Sequence, residues 1–536
     1  MGAVGKIQGL RVALVACLAV VIWPLVVIGV GGELVLLVTL TRHGSRAPNT
    51  VIDELCPADK GNRAKYNVPP GQLTENGMRQ AFKLGQFLRE KYVDTMEFLP
   101  PTLGSGSERK FCSRFMSDPA ERCLQTAQAM AMGLFPNGTG PPGFPNQPVA
   151  VETQQKEFAN LLAAAHAACS SQQKEDNAAY DSTRGKSLIE ENENITDAIA
   201  KACGTPTEDY ANANNGHEGL VLGVKDVADM LDFDEQQGLP RMESISKKTH
   251  EEMTQLAFTL LQERYYSNRR QVTYWAGDFP PTLLAELKAA AKKHRKGKKP
   301  KQLYLGYHGH RELLYGVAHL LGWNFKVEGA PTALGTSSIP PATTMIFELH
   351  YSPHEINGNS QEGLYDVDAQ DEETSIEEDT DASSFVSSGG SDLAEGGKGG
   401  DYYVRTYTWT PDFGQQDVIL DVCNTAGADE GCRLSTIEQA VLASMDQTGS
   451  WQDICQHVPF DEAEEIAQEL AFGAPDDVMP DFSASDSYNQ FVNLMISVGV
   501  VTAVSVLGVV ARWGAVAVRT RWRTVPARGG EYEIVP

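Results

Sequence analysis

The residues best suited to chemistry stand directly after an apolar run near the N-terminus. The run that starts at Val35 reads as a buried strand, and it ends in an Arg-His-Gly-Ser-Arg turn. In open α/β sheets, ligands bind beyond the carboxyl ends of strands. Arg42 and Arg46, on either side of His43, would form a cationic fork there, and guanidinium geometry matches a phosphate dianion. The turn therefore predicts an anion site, where Gly44 would let the backbone approach the ligand closely.

A second group of polar residues follows another apolar run, at 302–307. Residues 306–312, which contain the end of that run and the polar residues after it, read Gly-Tyr-His-Gly-His-Arg-Glu. His308 and His310 could together bind a metal ion, but no carboxylate motif accompanies this pair. Because this group also follows a predicted strand, we expect it at the same edge of the sheet as the first turn.

The first turn resembles the signature of the histidine acid phosphatases. A similar Gln-Leu-Thr-x-x-Gly-x-x-Gln stretch follows in the family, and here it covers 72–80. The resemblance implies that His43 attacks phosphorus to form a phosphohistidine, and that Arg42 and Arg46 hold the phosphoryl oxygens. It also implies that no metal cofactor is needed.

The second turn departs from the commonest form of the family. Most members have His-Asp here, whereas this chain has Arg311 in place of that Asp. It is similar to the branch typified by multiple inositol polyphosphate phosphatase, whose motif reads His-Ala-Glu. That match implies that His310 binds phosphate and that Glu312 donates the proton to the leaving group. For this role Glu312 would be kept protonated by acid pH and a partly desolvated site.

The family has a third arginine in its phosphate clamp, upstream of a helix that ends in Leu-Phe-Pro, here 134–136. Counting back from that helix end puts Arg122 on the family's downstream arginine and the clamp position at Met116. Arg114 is the nearest arginine, and a short insertion before Arg122 would explain the offset. We therefore expect Arg114 to complete the clamp, with Arg122 as the alternative.

Length and composition set the class of protein. The chain has 536 residues, 42% of them hydrophobic, and a net charge of −25. This charge argues against nucleic-acid binding and suits a protein that works in acid, where protonated carboxylates repel each other less.

Apolar segments at both ends predict a type I membrane protein. Residues 1–32 read as a signal peptide, with an uncleaved anchor as the alternative. Residues 491–511 carry no charge and are long enough to cross a bilayer. The arginines in the following tail, 512–536, place it in the cytoplasm. Tyr532 and Val535 resemble a tyrosine sorting signal read by clathrin adaptors.

Cysteines and sequons agree with a secretory route. Eight cysteines follow the signal, an even number that predicts up to four disulfides of unknown connectivity. Cys423 and Cys432 are close enough in sequence to close a small loop. Asn137 and Asn194 begin Asn-x-Thr sequons and are candidate glycosylation sites.

The resemblance implies a mixed, open α/β sheet with helices on both faces and a smaller inserted helical subdomain. Patterned helical segments put that subdomain at about 149–286 within a luminal domain of 33–485. Residues 366–400 are acidic and then Ser- and Gly-rich, which predicts a disordered insert at the tip of a hairpin.

These observations predict an acid phosphatase acting on small phosphomonoesters, with its active site in the lumen of endosomes or lysosomes or at the cell surface. Two alternatives stay open. One is a phosphatase-fold receptor of the endocytic pathway with weak or no turnover. The other is a selective inositol-phosphate or lipid phosphatase. Whether the chain forms a homodimer also stays open.

Overall fold

The computed structural model describes residues 32–103, 112–162, 167, 169, 173–206, 219–325, 338–353, 400–423 and 431–455. All of these residues belong to one compact unit, 1–473. Its strands are β1 (Glu33–Arg42), β2 (Ser113–Ser117), β3 (Val151–Thr153), β4 (Tyr304–Gly309), β5 (Thr344–Pro353), β6 (Gly400–Thr410), β7 (Gly414–Val418) and β8 (Cys432–Arg433).

The α-helices described between and after these strands fall into three groups. The first four are α1 (Ile52–Leu55), α2 (Lys60–Arg63), α3 (Glu75–Leu88) and α4 (Glu121–Leu134). Seven follow β3, namely α5 (Gln173–Tyr180), α6 (Lys186–Glu191), α7 (Glu193–Cys203), α8 (Gly219–Gln236), α9 (Lys247–Tyr266), α10 (Arg269–Ala276) and α11 (Phe279–Arg295). The last three are α12 (Arg311–Leu321), α13 (Leu434–Thr448) and α14 (Trp451–Cys455).

Among the described residues the strands form one mixed sheet in the order β3-β2-β4-β1-β5-β6-β7, with β8 beside β6. The half from β3 to β1 is parallel, and the half from β1 to β7 is antiparallel. This confirms the predicted mixed α/β sheet. Pro353 pairs with Gly400, so the predicted acidic insert joins two strands of a hairpin, as expected. The insert itself, up to 399, lies outside the described residues.

Helices cover both faces of the sheet because the strand side chains alternate. On β1, Val38 and Leu40 pack into one hydrophobic cluster with α10, α11 and α12. Leu37 points to the other face, where it packs with Leu84 of α3 and Met130 of α4. Strands buried on both faces read as continuous apolar runs, which explains why β1 shows no polar alternation.

The helical part has a core of its own, built from α6 to α9 together with Ile52 and Leu55 of α1. β3 lies inside the range predicted for the helical subdomain, but it pairs with β2 in the main sheet. The helices begin after it, and α11 packs in the cluster of the main sheet.

The described part of the chain contains three disulfides, two of which join residues far apart in sequence. They are Cys56–Cys203, Cys169–Cys455 and Cys423–Cys432. The first ties α1 to the end of α7, and the third closes the small loop expected from sequence. Asn137 and Asn194 are both exposed, the latter in the first turn of α7.

The helices of the described part are each too short or too polar to cross a bilayer. The span predicted at 491–511, the tail with Tyr532 and Val535, and residues 1–31 of the predicted signal lie outside the described residues.

Candidate active site

The parallel half of the sheet brings three strand ends together. Arg42, the last residue of β1, lies opposite Gly309 at the end of β4, and the His43 amide donates to the Gly309 carbonyl at 2.9 Å. On the other side of β4, the Asp118 amide donates to the His308 carbonyl at 2.9 Å. Because the strands are parallel, both predicted turns leave the sheet at one edge.

A cavity of about 210 Å³ opens at this edge. Its walls come from both turns, from the start of α4 and from the helical part. They are formed by Arg42, His43, Arg46, Asn49, Arg122, Leu162, Lys225, Asp229, Tyr265, Trp275, His310, Arg311, Glu312 and Leu313.

His43 is held as a neutral imidazole with one defined tautomer. Its Nδ1 lies 2.8 Å from the Gly44 carbonyl oxygen, which can only accept, so Nδ1 carries the proton. Burial lowers the pKa of His43 well below its usual range, and the nearby charges of Arg122 and Arg42 lower it further. Nε2 therefore keeps its lone pair even in acid, which is what a histidine nucleophile requires.

The first turn is clamped to the start of α3. Gly44 and Gly77 touch backbone to backbone, since a Cβ on Gly44 would lie 2.4 Å from the Gly77 carbonyl oxygen. The Ser45 amide donates to Gln80 at 2.8 Å, and the Thr74 hydroxyl donates to the Ser45 carbonyl at 3.0 Å. Gly44 is therefore required for the close approach of α3, and its expected close approach to the ligand stays a prediction. The 72–80 stretch does more than cap α3: it fixes the turn that carries His43.

The two arginines of the first turn stay charged although they are buried. Burial first and Arg311 second lower the pKa of Arg42, but only to about 10. Burial likewise lowers the pKa of Arg46 to about 10, and Asp229 opposes this effect. Arg46 also donates to Asn49 at 2.8 Å and lies over the ring of Phe233. Both guanidinium groups therefore bring positive charge to the cavity in acid.

The third arginine at the cavity is Arg122, and the choice of Arg114 needs correction. Arg114 lies on β2 and donates twice to Glu152 on β3, at 2.9 and 2.6 Å, away from the cavity. Arg122 lies in the first turn of α4, lines the cavity, and is one of the charges that lower the pKa of His43. Its Nε is buried with no hydrogen-bond partner among the described residues, so the guanidinium has capacity for a ligand.

His310 lies beside His43, with ring centroids 5.3 Å apart and the rings edge to face. Its Nε2 is 3.3 Å from Oδ1 of Asp118, which is fully buried at the end of β2. Burial lowers the pKa of His310, and Asp118 opposes that shift. His308, by contrast, is buried in the sheet and has no hydrogen-bond partner on either ring nitrogen among the described residues. Among the described residues, the group of possible metal ligands around His310 does not include His308.

Glu312 lines the cavity but is ionised, which corrects the expectation of a protonated acid. Burial alone would raise the pKa of Glu312, yet Arg311 and Lys225 lower it to about 2. Arg311 donates to Glu312 at 3.2 Å and holds Asp229 of α8 through two further hydrogen bonds. In the free site Glu312 is therefore a carboxylate.

Comparison with known proteins agrees with this geometry. The family described as "Histidine phosphatase superfamily (branch 2)" matches residues 33–367. The chain belongs to this superfamily. Its match runs from β1 through both polar turns and β5, and so contains every residue named above at the cavity.

Several relatives of this chain are named acid phosphatases. The chain is 35% identical over 128 residues to testicular acid phosphatase of Homo sapiens, covering 23% of this chain and 27% of that protein. It is 30% identical over 159 residues to lysosomal acid phosphatase of Xenopus laevis, covering 29% and 34%. These matches span only about a quarter to a third of the relatives' lengths. A phytase from Citrobacter braakii has the same fold, with TM-score 0.52, 15% identity, and coverage of 78% of this chain and 99% of that one.

Sequence reasoning missed the contribution of α8 to the site. Lys225 and Asp229 both lie on α8, at the helical spacing of one face, and both line the cavity. A signal was present, because charged residues interrupt the apolar face of a helix that is otherwise buried.

Proposed function

We propose that this protein hydrolyses phosphoric monoesters in acid through a phosphohistidine on His43, without a metal cofactor. One observation carries the proposal: the Nδ1 hydrogen bond to Gly44 leaves a neutral imidazole with its lone pair on Nε2, among buried arginines. A neutral nucleophile in a cationic cavity suits attack on an anionic phosphorus centre.

The phosphoryl group would be held by Arg42, Arg46, Arg122 and His310. Arginine forks match phosphoryl oxygens and neutralise the charge that develops in the transition state. His43 Nε2 then forms a bond to phosphorus as the ester oxygen leaves. Water releases phosphate in the second step and regenerates the imidazole.

The leaving oxygen needs a proton, and Glu312 supplies it only after taking one up. A phosphomonoester has its second pKa near 6, so in acid it binds largely as a monoanion that carries a proton. Negative charge next to Glu312 also raises its pKa. The substrate proton would pass to Glu312 and then to the leaving alcohol, after which the carboxylate acts as base toward water.

A substrate with more than one phosphate is a second candidate. Lys225 and Arg311 extend the positive charge beyond the three arginines, although Asp226 and Asp229 pair with them. Comparing turnover of inositol hexakisphosphate and p-nitrophenyl phosphate would test it. A marked preference for the former would favour an inositol-phosphate enzyme.

The test is hydrolysis of p-nitrophenyl phosphate by the full chain in detergent, with EDTA and across acid to neutral pH. We expect acid turnover that survives EDTA and disappears in His43→Ala. The matched control is His319→Ala, which changes an exposed histidine of α12 whose Nε2 donates to Oε1 of Gln262. After a rapid quench into alkali, in which phosphohistidine is stable, labelled phosphate should be found on the wild type and on His319→Ala but not on His43→Ala. Phosphate binding without turnover would favour the receptor alternative.

The same proposal puts the catalytic unit in the lumen or outside the cell, anchored by the span at 491–511. Three disulfides support an oxidising compartment for this unit. Protease protection in sealed vesicles, with an epitope in the tail at 512–536, would test the orientation. Adaptor binding through Tyr532 and Val535, glycosylation at Asn137 and Asn194, and dimer formation stay predictions.

A further inference from the structure

Three side chains of different chemistry meet behind the second turn. Asp118 follows β2, Cys123 lies in the first turn of α4, and His310 follows β4. One donor atom from each lies within 4.8 Å of the other two. Asp118 and Cys123 are fully buried, whereas 15% of the His310 side chain is exposed and lines the cavity.

The spacing of these donors suits a tetrahedral ion. With Zn–N and Zn–O bonds of about 2.0–2.1 Å and Zn–S of about 2.3 Å, tetrahedral angles separate N from O by about 3.3 Å and N from S by about 3.6 Å. Here His310 Nε2 lies 3.3 Å from Asp118 Oδ1 and 3.7 Å from Cys123 Sγ. An ion could therefore bind with small side-chain adjustments and no movement of the backbone.

We propose that Asp118, Cys123 and His310 form an inhibitory binding site for zinc, open to the cavity through His310. One carboxylate, one thiolate and one imidazole are ligands that zinc accepts, and the thiolate disfavours magnesium and calcium. Binding forms a Zn–S bond and releases the thiol proton of Cys123 to solvent. The carboxylate of Asp118 and the thiolate of Cys123 together balance the charge of the ion. Because one proton leaves as Zn²⁺ binds, the site gains one positive charge overall.

Zinc would inhibit turnover because His310 belongs both to the zinc site and to the wall of the cavity. Once His310 Nε2 binds the ion, it has no proton to donate, and the ring is held toward Asp118 and Cys123. The ring then cannot turn to donate this hydrogen bond to a phosphoryl oxygen in the cavity that His310 lines. The fourth ligand position would be taken by water or by a phosphate oxygen from the cavity. This consequence for turnover rests on the proposed phosphatase activity, whereas zinc binding by the three side chains does not.

The first measurement is metal binding by the full chain in detergent. We expect one zinc ion per chain by calorimetry, and we expect cobalt, used as a spectroscopic substitute, to give a thiolate-to-cobalt absorption band. Both signals should disappear in Cys123→Ser and Cys123→Ala. Both should persist in Cys112→Ser, which changes the cysteine just before β2. Two variants at Cys123 guard against one that fails to fold, and thermal melting identifies such a failure.

The second measurement is zinc inhibition of p-nitrophenyl phosphate hydrolysis. Zinc should inhibit the wild type and Cys112→Ser alike. Inhibition of Cys123→Ser should need roughly 10–100-fold more zinc, which is the typical loss of affinity when a supporting contact of a metal site is removed. A wild-type protein without the cobalt–thiolate band, or equal zinc inhibition of Cys123→Ser, would overturn the proposal. If the wild type binds zinc through Cys123 but has no turnover, the site stands and the proposed function fails.

Discussion

Arg311 and Asp229 form a two-pronged ion pair, with Nη1–Oδ1 and Nη2–Oδ2 distances of 2.7 and 2.9 Å. The pair ties the second turn of the site to α8, and both of its residues are buried. Burial alone would raise the pKa of Asp229, but Arg311 and Lys225 hold it below its usual range.

Breaking this pair should destabilise the protein. Asp229→Asn leaves a buried guanidinium without a full counter-charge, which typically costs about 3–5 kcal/mol. Thermal or denaturant unfolding would measure the loss. Glu235→Gln on the same helix is the matched control, because Glu235 is exposed and its change should stay within about 0.5 kcal/mol. Equal stability of the two variants would contradict this account of the pair.

Arg122 should matter for turnover far more than Arg114. We expect Arg122→Ala to lower kcat/KM for p-nitrophenyl phosphate by about 10²–10³-fold, the usual loss when a donor to transition-state charge is removed. Arg114→Ala removes a partly exposed pair with Glu152, so it should change kcat/KM by less than about threefold. The reverse order of effects would restore Arg114 as the clamp residue.

The loss of turnover caused by Glu312→Gln should depend on the leaving group of the substrate. An amide cannot carry the proton to the alcohol, so turnover of an alkyl phosphate should fall by about 10²–10⁴-fold. The loss for p-nitrophenyl phosphate should be much smaller, since nitrophenolate leaves without a proton. Measured kcat values for both substrates decide the point, and similar losses for both would exclude Glu312 as the proton donor.

Glu348 should stabilise the sheet at all but strongly acidic pH. It receives hydrogen bonds or ion pairs from Lys91 at 2.7 Å, Tyr92 at 2.6 Å and His350 at 2.8 Å. Burial would raise its pKa, but His350 and Lys91 lower it to about 2. A lowered folded pKa contributes stability above the unfolded value of 4.5, and that stability is lost as pH falls through about 2.

Glu348→Gln is therefore expected to cost about 3–5 kcal/mol near neutral pH. The difference from wild type should shrink as the pH approaches 2, because the wild-type carboxylate is then protonated as well. Urea unfolding at several pH values would measure this. A difference that stays constant with pH would show that charge at Glu348 is not the cause.

Asp59 should have the opposite effect from Glu348 on the pH dependence of stability. It is buried against Asp234 of α8, and burial first, then the neighbouring carboxylate, raise its pKa to about 7. A raised folded pKa gives stability that is present below the unfolded value of 3.8 and lost as pH rises through about 7. Asp59→Asn should therefore raise the Tm near neutral pH and flatten its dependence between about 4 and 7. A Tm of Asp59→Asn that depends on pH as steeply as the wild-type Tm would contradict this account.

Local pattern was enough to predict several elements and both polar turns. The apolar run from Val35 and the capped pattern after Thr74 depend on neighbours in sequence, and β1 and α3 formed there as expected. The resemblance at 42–46 and 306–312 likewise rests on short contiguous motifs. Such features follow from the sequence because their causes, burial of a strand and capping of a helix, act over a few residues.

The tertiary structure alone decided which side chains meet at the site. Counting residues could not tell that Arg114 pairs with β3 while Arg122 reaches the cavity, because side-chain direction depends on how the strand and α4 pack. The charge of Glu312 was equally out of reach. It is set by Arg311 and by Lys225 of α8, a helix far away in sequence, and electrostatic effects depend on distance in space and on burial.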